Sequence, residues 1–416
     1  MAETLYTKKT AANLAKPTLG RVTDYTIVSV VVGTKIVKLT GDVSADFASG
    51  DFLGITGNTD NDGSWEIDTV TFNTPDTDIK LISSPAGTAT NGIAYWTANH
   101  AAADTVHIDH NITAQAGLTV DQLYISAGNT LTSTAAVSAA GTHAAQPILG
   151  TLDATGFDVT FGDCGDGFAN GGTVTCENLI VGAMANNFAD SSTVTATGNI
   201  TTGNIGDTFA NSSTVTANDI TTGDISYAFA YFSTVTANDI TTGDIGYAFA
   251  YFSTVTANDI TTGNINYSFT DGSSTVTATG NITTGSITFD FAASSTVTAN
   301  DITTGNITNS FASYSATVTA TGNITTGNIY FSFANSSTVT ATGDITTGDI
   351  AYSFADSSTV TANNISTGTI YSFFAYSSST VTANDITTGD ISAFATTSAT
   401  VTANDITTGN INYSFT

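Results

Sequence analysis

Apolar and polar positions alternate along most of this chain in a pattern that returns every 20 or 21 residues. The unit reads S-T-V-T-A-(N or T-G)-(D/N)-I-T-T-G-(D/N)-I-x-(Y/F/N)-x-F-A. Its TVT valines stand at 174, 194, 215, 235, 255, 276, 297, 318, 339, 360, 381 and 401. Two spacings inside the unit are fixed. The isoleucines lie five apart, as in Ile200/Ile205 and Ile220/Ile225. The second isoleucine and the phenylalanine are usually four apart, as in Ile205/Phe209. Length varies chiefly before the first isoleucine and between the phenylalanine and the next valine. Fixed spacings mark sides of a coil; insertions mark corners, where the backbone leaves its ladder.

Period-two alternation assigns the faces. In T-V-T-A the valine points inward with a small alanine behind it, and both threonines point out. The odd Ile–Ile gap cannot bury both residues on a straight strand, so the intervening glycine (Gly203, Gly223, Gly243, Gly389) is expected to supply a bend. Each coil then buries one Val, two Ile and one Phe, and stacking places like on like. One such coil has no second layer to cover its apolar side chains, so the unit must repeat to fold. The fold class predicted is all-β, a parallel β-solenoid of 20–21-residue coils over residues 151–416. Residues 152–169 fit the unit with Val159 and Cys164 at the isoleucine positions and Phe168 at the phenylalanine. Cys176 replaces the inner alanine, so both cysteines read as buried small hydrophobes.

Upstream the period fades. Residues 104–150 show short alternating strands broken by Gly, Asn and Asp, read as less regular coils. Residues 22–97 carry longer strands with hairpin signals such as Asn61-Asp62-Gly63, read as a small antiparallel β-barrel or sandwich serving attachment. Residues 1–21 read as a basic N-terminal arm with a short helix around Thr10–Lys16.

Composition sharpens this picture. Thr, Ser, Val, Ile, Phe and Tyr favour strands, and 41% hydrophobic content with 10% charge excludes a disordered chain. The net charge is −28. All seven basic residues lie within the first 80 positions, so residues 81–416 hold acids and no Lys or Arg. Such a surface repels nucleic acid and anionic membrane. No apolar run is long enough to cross a bilayer as a helix, and the N-terminus shows no secretory h-region. A place on an extracellular surface would therefore be reached without a classical signal.

The repeat resembles the parallel β-helices of surface adhesins and of phage fibre and tailspike proteins, over about three quarters of the chain. The segment GDFLGITGNTDNDGSWEIDTV resembles small β-domains of phage structural proteins. These resemblances imply a structural, self-associating or virion-bound protein.

Candidate chemistry is sparse. No cluster of carboxylates with Arg or Lys exists beyond residue 80, and no long insertion builds a groove, so no catalytic residue and no enzymatic activity are expected. The position before the first isoleucine is Asp or Asn throughout. Ca²⁺ between Asp219, Asp239 and Asp259 suits hard oxygen ligands, yet the unit lacks the G-G-x-G-x-D calcium motif. A turn-forming Asx column is the simpler expectation, and no cofactor is expected. His107 and His110, three apart on a strand, point to opposite faces and read as surface residues.

The outward threonines Thr214, Thr216, Thr234, Thr236, Thr254 and Thr256 form a T-x-T lattice that resembles the ice-binding face of insect-type antifreeze proteins. Glycan binding would use exposed aromatics, for which Tyr231, Phe232, Tyr251 and Phe252 at a corner are the candidates. The sequence ends mid-coil, so Ile411, Tyr413 and Phe415 are the expected assembly end, docking on another copy or on virion or filament subunits. The leading expectation is a non-enzymatic rod, a phage fibre or capsid decoration protein attached by its N-terminal region. The alternatives are an extracellular filament or surface-layer subunit, and an ice- or glycan-binding β-helix.

Overall fold

The computed structural model of the protein describes residues 4–6, 24–45, 47, 49, 52–56, 58–61, 63–88, 90–91, 93–97, 105–108, 111–114, 118–145, 147–396 and 398–413. The helix expected around Thr10–Lys16 lies outside these residues, as do Asp109, His110 and Phe415. The chain divides into two compact units, Met1–His143 with Pro147–Gly162, and Ala144–Gln146 with Asp163–Thr416.

In the first unit, strand β1 (Thr4–Tyr6) pairs parallel with Thr105–Ile108. Strands β2 (Asp24–Val31), β3 (Ile36–Leu39), β4 (Phe52–Thr56), β5 (Gly63–Asn73), β6 (Asp76–Leu81) and β7 (Ile93–Thr97) close a barrel in the order β2-β3-β6-β5-β4-β7. Every pairing in it is antiparallel. Closure removes the open edges that a six-stranded sheet would expose. The core gathers Ile27, Val37, Leu39, Leu53, Ile55, Ile67, Ile79 and Leu81, each under 5% exposed. The loop before Gly63 is pinned by Asn61, whose Nδ2 donates to Gly87 O at 3.0 Å and whose Oδ1 accepts from Gly87 N at 3.0 Å. Coils begin within the same unit: Leu118–Val120, Val137–Ala139 and Val159–Phe161 pair in parallel succession, as do Ile112–Ala114, Thr130–Ser133 and Thr151–Ala154.

The second unit is a parallel β-solenoid with three ladders. The valine ladder runs from Thr173–Cys176 to Thr400–Thr402, and the first-isoleucine ladder from Leu179–Val181 to Asp405–Thr407. The third is a 13-stranded parallel sheet from Ala169–Asn170 to Ile411–Tyr413. Register is like on like: Val194↔Val215↔Val235, Ile200↔Ile220↔Ile240, Ala210↔Ala230↔Ala250. The second isoleucines join through single bridges, Cys164↔Met184↔Ile205↔Ile225 and onward to Ile370. The one phenylalanine per coil that follows the second isoleucine position by four, from Phe168 to Phe374, is fully buried and stacked; Phe209, Phe229 and Phe249 lie 4.8 Å apart with planes within 2°. Buried apolar columns of this kind supply the burial that a lone coil lacks.

Two readings gain detail. The glycine between the isoleucines lies where the chain leaves the first-isoleucine strand, and its backbone there is not left-handed. It is required by close approach, because a Cβ on Gly243 would sit 2.2 Å from Asp224 Oδ1 and 2.9 Å from Asp224 N in the preceding coil. The core also holds more than four apolar columns. The second threonine of I-T-T points inward, as Thr222, Thr242 and Thr262 do at 5% exposure, and its hydroxyl donates to the following glycine carbonyl at 3.0–3.1 Å.

The corner between the phenylalanine and the valine is where the backbone turns left-handed. Ser191, Ser212, Phe232, Phe252, Ser294, Ser336 and Ser357 all have φ between 49° and 51°. Gly171 (φ 67°) and Gly272 (φ 65°) serve the same turn. The serine that follows is buried and knits the coils together. Ser213 N donates to Ser233 Oγ at 3.0 Å, and Ser233 Oγ donates to Tyr231 O at 2.9 Å.

Candidate functional site

Three outward-facing features of the solenoid bear on function: the threonine lattice, the Asx columns and the aromatic corner. Thr214, Thr234 and Thr254 are in register on the valine ladder, as are Thr216, Thr236 and Thr256. All six are exposed, while Val215, Val235 and Val255 between them are buried. The coil of Val381 repeats this pattern, with Thr380 and Thr382 exposed on either side of a buried valine. On the coils of Val194, Val276, Val297, Val318 and Val339 the second threonine is partly covered.

The Asx columns have a structural task. Asp219, Asp239 and Asp259 are in register and half-buried. Asp239 Oδ1 accepts from the backbone N of Asp259 at 3.2 Å and from Asn258 Nδ2 at 3.4 Å. Asp259 Oδ1 accepts from Asn281 N at 2.6 Å, and Asp219 Oδ1 accepts from Asn238 Nδ2 at 3.3 Å. A second column precedes the second isoleucine. Asn204, Asp224 and Asp244 Oδ1 accept from the backbone N of Asp224, Asp244 and Asn264 at 3.0, 2.9 and 2.7 Å. Apart from Asp219, whose partner is the Asn238 side-chain amide, each of these side chains satisfies a backbone amide of the next coil at a corner where the backbone ladder is interrupted. Among the described residues no group of three or more His, Cys, Asp or Glu is arranged to hold a metal ion.

The aromatic corner is local. Tyr227, Tyr247, Tyr267 and Phe289 stack with centroids 4.6–4.8 Å apart. Beside them Tyr231 stacks on Tyr251 at 5.2 Å, and Phe232 on Phe252 at 5.0 Å. Tyr231 and Phe232 are perpendicular, at 89°. The phenylalanines are exposed by 52% and 45%. Burial raises the Tyr227 and Tyr247 hydroxyls above their ordinary pKa, Tyr247 to about 12, with neighbouring tyrosines adding to the effect.

Other residues singled out by sequence are placed as follows. Cys164 and Cys176 are both buried, on different sides of a coil, and burial pushes the Cys164 thiol up to about 12. A thiol so protonated is a poor nucleophile and a poor metal ligand. His107 is partly buried and stacks on Tyr124 at 4.8 Å. His143, not singled out by any motif, is fully buried and its Nε2 accepts from Leu123 N at 3.1 Å. Ile411 pairs with Ile391 and is 41% exposed. Tyr413 belongs to the same terminal strand, Ile411–Tyr413. Sequence reading also missed Asp290. It stands at a buried position that is Ser268, Ser310 and Ser332 in nearby coils, and burial raises its carboxyl to about 6.

No family model matches the chain, and no curated protein or solved structure matches it.

Proposed function

We propose that this chain is a non-enzymatic structural rod, held by its N-terminal region and projecting its solenoid as a phage fibre or capsid decoration. The observation that carries this reading is the uniformity of the coils. Val, Ile and Phe repeat in register across the second unit with indels of a residue or so at the corners. A catalytic site needs unlike groups converging at one place; here like groups recur in lines. Coils that differ so little give length and stiffness, and length changes by whole coils.

An extracellular filament or surface-layer subunit would use the same shaft. Immunogold electron microscopy of the source culture, with antibodies against this chain, separates these hosts. Label on projections of virus particles supports the fibre reading, and label on cell-surface filaments moves the rod there. Diffuse label on neither overturns the structural reading.

The threonine lattice, open on the adjacent coils of Val215, Val235 and Val255 and again at Val381, favours one further reading, a flat surface for ordered water or ice. Thermal hysteresis of the purified chain tests it; a freezing point equal to the melting point at high protein concentration rejects it.

A further inference from the structure

The corner formed by Tyr231, Phe232, Tyr251 and Phe252 stacks two exposed aromatic pairs on adjacent coils in a way that burial does not explain, whereas Tyr314 takes the same left-handed turn singly, with φ of 51°. Where Ser or Gly takes the left-handed turn in neighbouring coils, Phe232 and Phe252 adopt it with φ of 50° and 49°. A bulky aromatic there is strained by about 1–2 kcal/mol. Nor does the side chain gain a place in the core, since both rings are about half exposed. Strain at an exposed residue points to a use for the ring itself.

The geometry shows what the rings offer. Both pairs repeat along one direction, the coil rise, at 5.2 and 5.0 Å. Yet the Tyr231 and Phe232 planes are perpendicular. Stacked faces cannot approach closer than about 3.5 Å, so neither set of ring normals can tilt from the stacking direction by more than about 45–50°. Two perpendicular sets meet that limit only if each tilts by about 45°, in opposite senses. The rings therefore form two offset staircases, and each step leaves part of its face open. The Phe staircase ends over Gly272, where an added Cβ would lie 2.8 Å from the Phe252 ring. The rim is polar: the Tyr227 and Tyr247 rings adjoin Tyr231 and Tyr251, and Asp271 follows Tyr251 in the ladder.

We propose that this corner is a binding platform for a neutral polysaccharide, lying along the stacking direction with its pyranose rings on the tilted aromatic steps. The electron-rich ring faces match the C–H faces of a pyranose, and the tyrosine hydroxyls and Asp271 face its hydroxyl edge. Charge narrows the ligand. With no Lys or Arg between residues 81 and 416, the solenoid repels an anionic glycan, and a second solenoid is repelled likewise. The coil rise is close to the advance of one sugar along an extended 1,4-linked chain, so successive steps can meet successive sugars. This goes beyond the rod reading, which stands whether or not the platform binds.

The test uses the full chain and saturation-transfer difference NMR with cellohexaose and maltohexaose. The comparison is a variant carrying Tyr231→Asn, Phe232→Ser, Tyr251→Asn and Phe252→Ser. These substitutions reproduce Asn211-Ser212 of the adjacent coil, so the turn is one the solenoid already makes, and circular dichroism verifies the fold. The native chain is expected to transfer saturation to ring C–H protons of at least one sugar, with affinity falling about tenfold or more in the variant. No transfer to either sugar from the native chain overturns the proposal, and so does equal affinity in the folded variant.

Discussion

Asp290 is a single residue with a measurable signature. Its Oδ1 accepts from Ser310 N at 2.7 Å and its Oδ2 from Ser313 Oγ at 2.7 Å. Burial nevertheless outweighs these bonds and raises the carboxyl from 3.8 to about 6. A folded value above the unfolded one means that the carboxyl's contribution is fully present below about pH 3.8 and is lost as pH rises through about 6. That loss is about 3 kcal/mol at neutral pH. Asp290→Ser, the residue of the adjacent coils, is expected to raise hydrogen-exchange protection of residues 287–313 at pH 7.5 and to change it little at pH 4. Equal protection of the two chains at pH 7.5 would count against this account. Asp239 makes the opposite case, a carboxylate kept as a hydrogen-bond acceptor. Asp239→Asn retains an oxygen for Asp259 N and removes repulsion between stacked charges, so thermal stability should hold or rise slightly. Asp239→Ala leaves that amide without its side-chain partner and should cost about 1 kcal/mol. Adding a chelator of divalent ions should leave both melting curves where they were, because the column works through its amides; a fall in melting temperature would restore the calcium reading.

At the level of the coil, the glycine between the isoleucines sets how closely two turns approach. Gly243→Ala places a methyl against Asp224 Oδ1, the atom that accepts from Asp244 N at 2.9 Å. The side chain must swing away and surrender that bond, so the variant should lose about 1–3 kcal/mol in thermal or denaturant unfolding. An unchanged stability would show that the corner yields more easily than this contact implies. The example also marks how far sequence can be read. The five-residue Ile–Ile gap signals that the chain bends there, but the collision that demands glycine comes from a residue about 19 positions earlier, visible only once coils are stacked. Period two correctly faces Val215 inward and Thr214 and Thr216 outward. Carried past Ile220, the same period also turns Thr221 outward and Thr222 inward, as Ile200–Thr202 and Ile345–Thr347 show; a core counted by its large apolar residues leaves that threonine out. Indels locate the corner after the phenylalanine, while its left-handed turn, shared by Ser212 and Phe232, leaves no common residue type behind. The barrel is less legible still: β5 and β6 pair through an ordinary hairpin, whereas closure of β2 on β7 joins Asp24–Thr26 to Ile93–Tyr95 across the whole domain.

For the solenoid as a molecule, the decisive property is that each coil contacts chiefly its two neighbours. Stability then grows by roughly equal steps, each made of one coil and one interface. Ser233–Phe252 repeats Ser213–Phe232 with one difference, Ser226 against Gly246. Deleting residues 233–252 joins Phe232 to Ser253, the same junction that the chain already has between Phe232 and Ser233. The inward columns close again without a gap: Val215 meets Val255, Ile220 meets Ile260 and Phe229 meets Phe269. Such a chain should fold with unchanged circular dichroism and be shorter by one coil rise, about 4.8 Å. Its melting temperature should drop only modestly. Deleting residues 233–242 instead removes half a coil. Phe232 then runs into Gly243 without the valine ladder and the first isoleucine between them, and two of the three ladders lose a rung while the third keeps it. That chain should unfold around the junction, with loss of amide protection spreading to the adjoining coils. Small-angle scattering for length and hydrogen exchange for protection distinguish the two chains. If the whole-coil deletion is as damaging as the half-coil one, coils are not interchangeable, and a rod whose length is set by copy number is the wrong description.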